Sequence, residues 1–267
     1  MDLHGKVAVI TGAGGGIGAA LARRLVAAGS YVVLTDLKHD AVEQQTAELN
    51  SSYPGSAAAV AGDASQTAHI QRCIEVAAEA FGPVDLYVAN AGMGGGPGLE
   101  ATEEQWQTAL DINVMAHVRA AKILVPQWLE RGSGYFLSTA SAAGLLTQIG
   151  LATYSVTKHG AVSFAEWLSV TYGNRGIGVS CLCPMGVNTA MLNGTDRDGV
   201  EQKAGQAVKG AGEVLEPDAV AEVTVEGITE GRFLILPHPE VEEFWRRKSS
   251  DYDRWLAGMR RYQDSLA

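Results

Sequence analysis

Val7-Ala8-Val9-Ile10-Thr11-Gly12-Ala13-Gly14-Gly15-Gly16-Ile17-Gly18, followed by Ala19-Ala20-Leu21-Ala22-Arg23-Arg24-Leu25-Val26 and then Tyr31-Val32-Val33-Leu34-Thr35-Asp36, decides the fold. The first five residues are a short apolar run, the pattern of a strand buried on both faces. Residues 19–26 carry helical periodicity with two arginines outward and stop at Gly29. Residues 31–36 form a second apolar run that ends on a carboxylate. Strand, glycine turn, helix, strand and acid in this order suit the cradling of a dinucleotide. In that reading Gly12 makes the tight turn, Gly16 lets the backbone approach a pyrophosphate, and Gly18 lets the helix pack on the sheet. Gly14 and Ile17 lie in the same loop. The helix N-terminus faces the phosphates, and Asp36, followed by Leu37, meets the adenosine ribose.

The alternation continues. Helices are expected at 41–50, 66–81, 102–131 (one or two), 152–172 and 217–228. Strands are expected at 57–62, 84–89, 135–138, 179–183 and 232–236. The whole chain, 1–267, therefore reads as one α/β domain: a doubly wound parallel sheet of about seven strands with helices on both faces. At 46 % hydrophobic and 19 % charged residues it can bury a substantial core. A net charge of −10 argues against nucleic acid or an anionic membrane as the main partner. No run of 18 apolar residues is present, and the N-terminus has no signal-peptide pattern, so a reducing cytoplasm is the default location. The three cysteines and six histidines show no metal-ligand spacing, and no metal is expected.

A second constellation carries chemistry. Tyr154 and Lys158 are four apart on an expected helix and so share a face. Bringing a phenol from about 10 to about 7 takes roughly 4 kcal/mol. A cation at about 4–5 Å supplies on the order of 3–4 kcal/mol at an effective dielectric near 20. The pair is therefore a candidate proton-transfer unit in which Lys158 lowers the Tyr154 pKa, with a cationic cofactor ring as a further source. Ser141 lies thirteen residues upstream and can both donate to and accept from a substrate oxygen. It can also serve as a cap or turn residue. Asn113 falls inside an expected helix, where a satisfied core asparagine is the alternative.

Together these motifs resemble the short-chain dehydrogenase/reductase family over nearly the whole chain. Thr11-Gly12-x-x-x-Gly16-x-Gly18 resembles its cofactor loop, and Asp63-Ala64 the acid that meets adenine. Asn90-Ala91-Gly92 resembles its sheet-stabilising motif, with Ala89 where asparagine is frequent. Asn113, Ser141, Tyr154 and Lys158 fall at its catalytic tetrad. Pro184-Met185-Gly186-Val187-Asn188-Thr189 resembles the loop below the nicotinamide, but Met185 stands where the family usually has glycine. The resemblance implies a Rossmann-type fold and reversible hydride transfer between a nicotinamide cofactor and a secondary alcohol or ketone. Tyr154 is then the acid/base, Lys158 also holds the nicotinamide ribose, Ser141 orients the substrate oxygen, and Asn113 positions a water. An idle nucleotide-binding scaffold or redox sensor is the alternative, as is a ketone reductase working in the reductive direction.

NAD is expected over NADP, because Asp36 repels a 2′-phosphate of about −2 charge. Neither Leu37 nor Gly15 is basic, and Lys38 is the one countervailing charge. The loop at about 190–215 is expected to close over the substrate. Its Met191, Leu192, Val200 and Val208 suggest an apolar lining, a region that resembles members acting on hydroxylated lipids. The helix at 152–172, apolar nearly all round, suggests burial on both sides and hence a homo-oligomer, a tetramer or else a dimer. The chain then continues past the usual end of the family with a tail, 240–267. Phe244, Lys248, Tyr252, Trp255, Met259 and Tyr262 recur there at helical spacing, and Gly258 marks a bend. Such aromatics pack on something: the open side of the pocket or a neighbouring subunit. His238, between two prolines, reads as a loop residue or a contact to a partner subunit.

Overall fold

The computed structural model describes residues 1–96, 98–193 and 199–266. Seven strands form one all-parallel sheet in the order β3-β2-β1-β4-β5-β6-β7. The strands are β1 (Val7–Thr11), β2 (Tyr31–Thr35), β3 (Ala57–Ala59), β4 (Leu86–Ala89), β5 (Gly134–Thr139), β6 (Ile177–Leu182) and β7 (Leu234–Ile235). The chain runs outward through β1, β2 and β3, then returns to lay β4 against the other side of β1. That reversal opens a crevice above the C-terminal ends of β1 and β4, where ligands bind in sheets of this kind.

Alternation along the strands feeds two separate cores. Ala8 and Ile10 pack with α1 (Gly16–Ala27), α2 (His39–Ser52) and α9 (Pro217–Glu230), while Val7 and Val9 pack with α3 (Thr67–Ala80), α5 (Ala116–Arg131) and α6 (Ala152–Tyr172). Each fully buried Leu, Ile or Val contributes roughly 1.5–3 kcal/mol. Trp128 of α5 is wholly buried, and its indole donates to the Val84 carbonyl at 2.8 Å.

The expected strands and helices are all present, with shifted ends. The strand expected at 57–62 is only Ala57–Ala59, and the last strand is two residues long, because both lie at sheet edges with one pairing neighbour. Residues 102–131 form α4 (Glu103–Leu110) and α5, joined by one π turn at Asp111–Met115. Thr102 and Gln105 make a capping box at the start of α4. Asp111 and Arg119 are paired across the π turn at 2.6 Å, and hydrogen bonds from Gln107 and Arg119 hold the Asp111 carboxyl below the usual carboxylate range.

Two expectations need correction. The α6 helix is not apolar all round: Ala161, Val162, Ala165 and Leu168 are buried, but His159, Ser163 and Glu166 share the outer face with Val156, Trp167 and Val170. The tail is not one helix. It forms α10 (Glu240–Ser250) and α11 (Tyr252–Ser265), and the break falls at Asp251 rather than Gly258. Asp251 is extended, and its side chain accepts the Arg254 N–H at 3.0 Å as an N-cap. A carboxylate cap stops one helix and starts the next, whereas Gly258 costs α11 only about 1 kcal/mol in propensity.

The loop at 190–215 holds α7 (Ala190–Asn193) and α8 (Gly199–Ala211). Residues 194–198 of it, and Pro97 of the glycine-rich loop at 93–98, lie outside the described residues. Among the described residues no helix is long and apolar enough to cross a membrane.

Candidate active site

A cavity of about 1270 Å³ runs across the C-terminal edge of the sheet, larger than the ~300–1,000 Å³ usual for one small ligand. One end is the glycine loop. Gly12 has φ +65°, and a Cβ there would lie 2.9 Å from the Ala91 Cα. At Gly18 a Cβ would lie 2.2 Å from the Gly12 carbonyl oxygen and 2.7 Å from the Asn90 amide nitrogen, so this glycine lets α1 sit close over the ends of β1 and β4. Asn90 ties the crevice together: its amide donates to the carbonyls of Thr11 (2.9 Å) and Gly12 (3.3 Å). The Thr11 hydroxyl accepts the N–H groups of Asn90 and Ala91, both at 2.9 Å.

The loop fits a phosphate-bearing group. Helix α1 starts at Gly16 with no side-chain cap and no acid in its first turn, and a Cβ on Gly15 would meet nothing within 4 Å. Free N–H groups at a helix N-terminus are a phosphate site. Asp36 lines the same end, where its two oxygens accept the N–H groups of Gly14 and Lys38, each at 3.1 Å. Gly14, Gly16, Ile17, Asn90, Ala91 and Gly92 line the cavity. Leu37, Asp63, Ala64, Gly18 and Gly186 lie outside its wall. Leu37 is 70 % exposed. The Asp63 carboxylate accepts the Ser65 N–H at 2.8 Å; burial raises its pKa, but that bond and further ones from Ser65 and Gln66 bring it below the usual carboxylate range.

At the centre of the cavity the structure brings Ser141, Tyr154 and Lys158 together. Ser141 ends the turn after β5, and its hydroxyl accepts the Ala143 N–H at 3.1 Å and donates to the Pro184 carbonyl at 3.3 Å. It caps a 3-10 turn and faces the cavity at once. The Lys158 ammonium stands 5.7 Å from the centre of the Tyr154 ring and donates to the Thr139 carbonyl at 2.9 Å. Asn113 sits in the π turn, fully buried, and does not line the cavity. It exchanges bonds with the Met93 backbone in both directions at 2.9 Å and donates to Thr157 at 2.9 Å. Across Gly92, a Cβ would stand 3.2 Å from both the Asn113 side-chain oxygen and the Lys158 ammonium. Asn113 is thus a satisfied side chain that positions the loop beside Lys158. A π turn at such a place is a frequent mark of function.

The charge balance differs from the expectation. Burial pushes the Tyr154 phenol up, the nearby Ser141 hydroxyl pulls it down, and the net direction is upward. Burial also depresses Lys158, to about 8. Lys158 therefore does not by itself bring Tyr154 toward neutrality, because desolvation acts against both charged forms.

Beyond Tyr154 the walls become apolar. Leu146, Ile149, Met191, Leu192 and Val208 line this end, while Val200 packs instead beside Gly150. The tail closes it: Phe244, Trp255, Met259 and Tyr262 reach the cavity, with Arg247 at its rim bonded to Glu243 at 2.7 Å. Two polar ties hold the tail down. Tyr262 donates to the Ala207 carbonyl at 2.8 Å, and Lys248 donates to the carbonyls of Leu145 (2.7 Å) and Leu146 (3.1 Å). The next residue, Thr147, has φ +124°, a strained conformation of order 1–3 kcal/mol, and it too lines the cavity. Sequence reasoning placed Lys248 on the packing face but missed what it holds, and no local pattern marks Thr147.

Thr189 faces the glycine loop, with its methyl carbon 3.1 Å from where a Gly16 Cβ would be. Pro184, Met185 and Val187 line the cavity beside it. His238, expected as a loop or partner contact, is 1 % exposed and sits behind this segment, bonded to Met185 and Gly186.

The family model described as short chain dehydrogenase matches residues 6–199. A 1-deoxy-11-beta-hydroxypentalenate dehydrogenase of Streptomyces exfoliatus is 34 % identical over 73 % of this chain and 72 % of its own. The meso-2,3-butanediol dehydrogenase of Serratia marcescens is 33 % identical over 84 % of this chain and 87 % of its own. A crystal structure of a Burkholderia phymatum short chain dehydrogenase/reductase in complex with NAD superposes with a TM-score of 0.86, at 32 % identity, over 95 % of this chain and 96 % of that one.

Proposed function

The chain belongs to the short-chain dehydrogenase/reductase family, and on that premise we propose that it is an NAD-preferring oxidoreductase that interconverts an apolar secondary alcohol and its ketone. One observation carries the reading: Ser141, Tyr154 and Lys158 meet midway along a single cavity that joins a capless helix N-terminus to an apolar chamber. Gly12, Gly14, Gly16, Ile17 and Asp36 are assigned to the pyrophosphate and adenosine half. Leu37, Asp63 and Ala64 are assigned to the adenine edge, and Asn90, Ala91, Gly92, Pro184, Gly186, Val187 and Thr189 to the nicotinamide half.

When bound, the nicotinamide supplies the hydride acceptor or donor. Tyr154 takes the alcohol proton during oxidation and returns it during reduction. Ser141 donates to the substrate oxygen as charge develops there. Lys158, held by the Thr139 carbonyl, keeps a positive charge beside the phenol and would hold the nicotinamide ribose. Because burial raises the Tyr154 pKa, a phenolate there needs positive charge beyond that of Lys158, which an oxidised nicotinamide ring would supply when bound.

Preference for NAD rests on Asp36. Its carboxylate lines the ribose end and repels a 2′-phosphate, with Lys38 the nearest countervailing charge. Preference for an apolar substrate rests on the chamber beyond Tyr154, walled by Leu146, Ile149, Phe244, Trp255 and Met259. Val156, Trp167 and Val170 are more than half exposed on α6 and form the apolar part of a face suited to a second copy of the chain, in a homotetramer or a homodimer. Three buried free cysteines accord with a reducing cytoplasm.

The test is a survey of secondary alcohols with NAD and NADP, followed by the nicotinamide absorbance, with light scattering on the same sample. We expect oxidation of bulky apolar alcohols, a higher kcat/KM with NAD, and a particle heavier than one chain. Tight cofactor binding without turnover of any alcohol or ketone favours a scaffold instead, and a higher kcat/KM with NADP overturns the cofactor assignment.

A further inference from the structure

We propose that His238 is a positioning residue for the nicotinamide half of the cofactor site, through the backbone of Met185 and Gly186. This rests on the reading of the cavity as a dinucleotide site. Strand β7 is two residues long, and its last ladder bond runs from the Cys183 N–H to the Ile235 carbonyl at 2.9 Å. Pro237 and Pro239 follow, and neither carries an N–H to continue the ladder. Beyond Cys183 the backbone goes on through Pro184 and Met185, which line the cavity, to Gly186, which is buried behind its wall. Buried backbone groups left without partners cost about 1–3 kcal/mol each.

The His238 imidazole takes over from the ladder. Its Nδ1 accepts the Met185 N–H at 3.1 Å, and its Nε2–H donates to the Gly186 carbonyl at 3.0 Å. An amide N–H can only donate and a carbonyl can only accept, so both partners together select the neutral ring with its proton on Nε2. The same three-residue segment is tied on its other side to the catalytic turn: the Pro184 carbonyl accepts the Ala142 N–H at 2.8 Å and the Ser141 hydroxyl at 3.3 Å. His238 also starts α10, through its carbonyl to the Val241 N–H at 3.1 Å. One side chain thus fixes, relative to Ser141, the backbone of Met185 and Gly186 beside which the nicotinamide ring would lie.

The distinguishing measurement compares two ligands, the whole dinucleotide and ADP-ribose, which lacks the nicotinamide. Their affinities are measured by calorimetry on the wild type and on His238→Ala, His238→Asn and His238→Gln. Asn keeps an acceptor for Met185, and Gln keeps a donor for Gly186. We expect His238→Ala to weaken NAD binding about tenfold while ADP-ribose stays within about twofold, with Asn and Gln in between. Should His238→Ala fail to fold, the Asn and Gln variants carry the same comparison at a smaller ratio. Equal loss of both ligands, or loss of neither, overturns the proposal while leaving the dinucleotide reading intact. A wild type that binds neither ligand overturns the dinucleotide reading, and this proposal with it.

Discussion

At the glycine-loop end of the cleft, main-chain atoms make most of the site. Gly12, Gly14, Gly16 and Asn90 present backbone or hold it, and the parts come from the first ninety residues. At the far end, side chains make the site. Phe244, Trp255, Met259 and Tyr262 arrive from the other terminus, and their anchors, Lys248 to Leu145 and Tyr262 to Ala207, span 103 and 55 residues. A backbone site tolerates one geometry and recognises what is constant in a ligand. A side-chain wall can be changed residue by residue, and so it is where a choice of substrate resides.

The sharpest way to break this contrast is at its centre. Tyr154→Phe should lower turnover by about a thousandfold, within the 10²–10⁴ range of acid–base catalysis, and leave dinucleotide affinity within about twofold. Steady-state rates beside cofactor titration measure it, and retention of a tenth of the turnover would assign the proton to another group.

The next effect is electrostatic. Lys158 has a folded-state pKa of about 8, against about 10.4 unfolded. Between those values the unfolded chain holds a proton that the folded chain has shed, so unfolding free energy rises with pH. The gain is about 3 kcal/mol, complete above the unfolded pKa and lost as pH falls through about 8. Denaturant melts at several pH values should show this slope in the wild type and not in Lys158→Met; parallel curves would mean that Lys158 is better solvated than its burial implies.

At the backbone end, Gly18→Ala drives a Cβ to 2.2 Å from the Gly12 carbonyl. We expect up to about 2 kcal/mol of lost stability, since overpacking of about 1–3 kcal/mol is offset by about 1 kcal/mol of helix propensity. Dinucleotide affinity should fall with it, and a variant as stable and as tight as wild type would show that the loop can move aside. The smallest effect lies at the side-chain end. Trp255→Ala should change KM for a bulky alcohol about tenfold, or 1.4 kcal/mol, with KM for the cofactor nearly unchanged. If both constants move together, the two ends are not separable.

Local pattern was enough for the dinucleotide end. Glycine spacing, apolar runs of strand length and a terminal acid are short-range features, and β1, α1 and β2 follow them within a few residues. The positions of Ser141, Tyr154 and Lys158 were also legible, since their order and helical spacing lie in the chain itself. Their charge state was not: burial raises the Tyr154 phenol and depresses Lys158, and desolvation depends on everything packed around a group. The tail's apolar spacing announced that it would pack, but its break at Asp251 came from a cap that competes with helix continuation. That it folds over its own chain's cavity is a matter of contacts between residues far apart in sequence. His238 shows the same division. Nothing within a turn of it in sequence marks a role, and only the end of β7 beside the Met185 and Gly186 backbone gives its two nitrogens their partners. Periodicity and turn chemistry act over a few residues and can be read from the chain, whereas burial and long-range hydrogen bonds exist only once the sheet has brought its distant parts together.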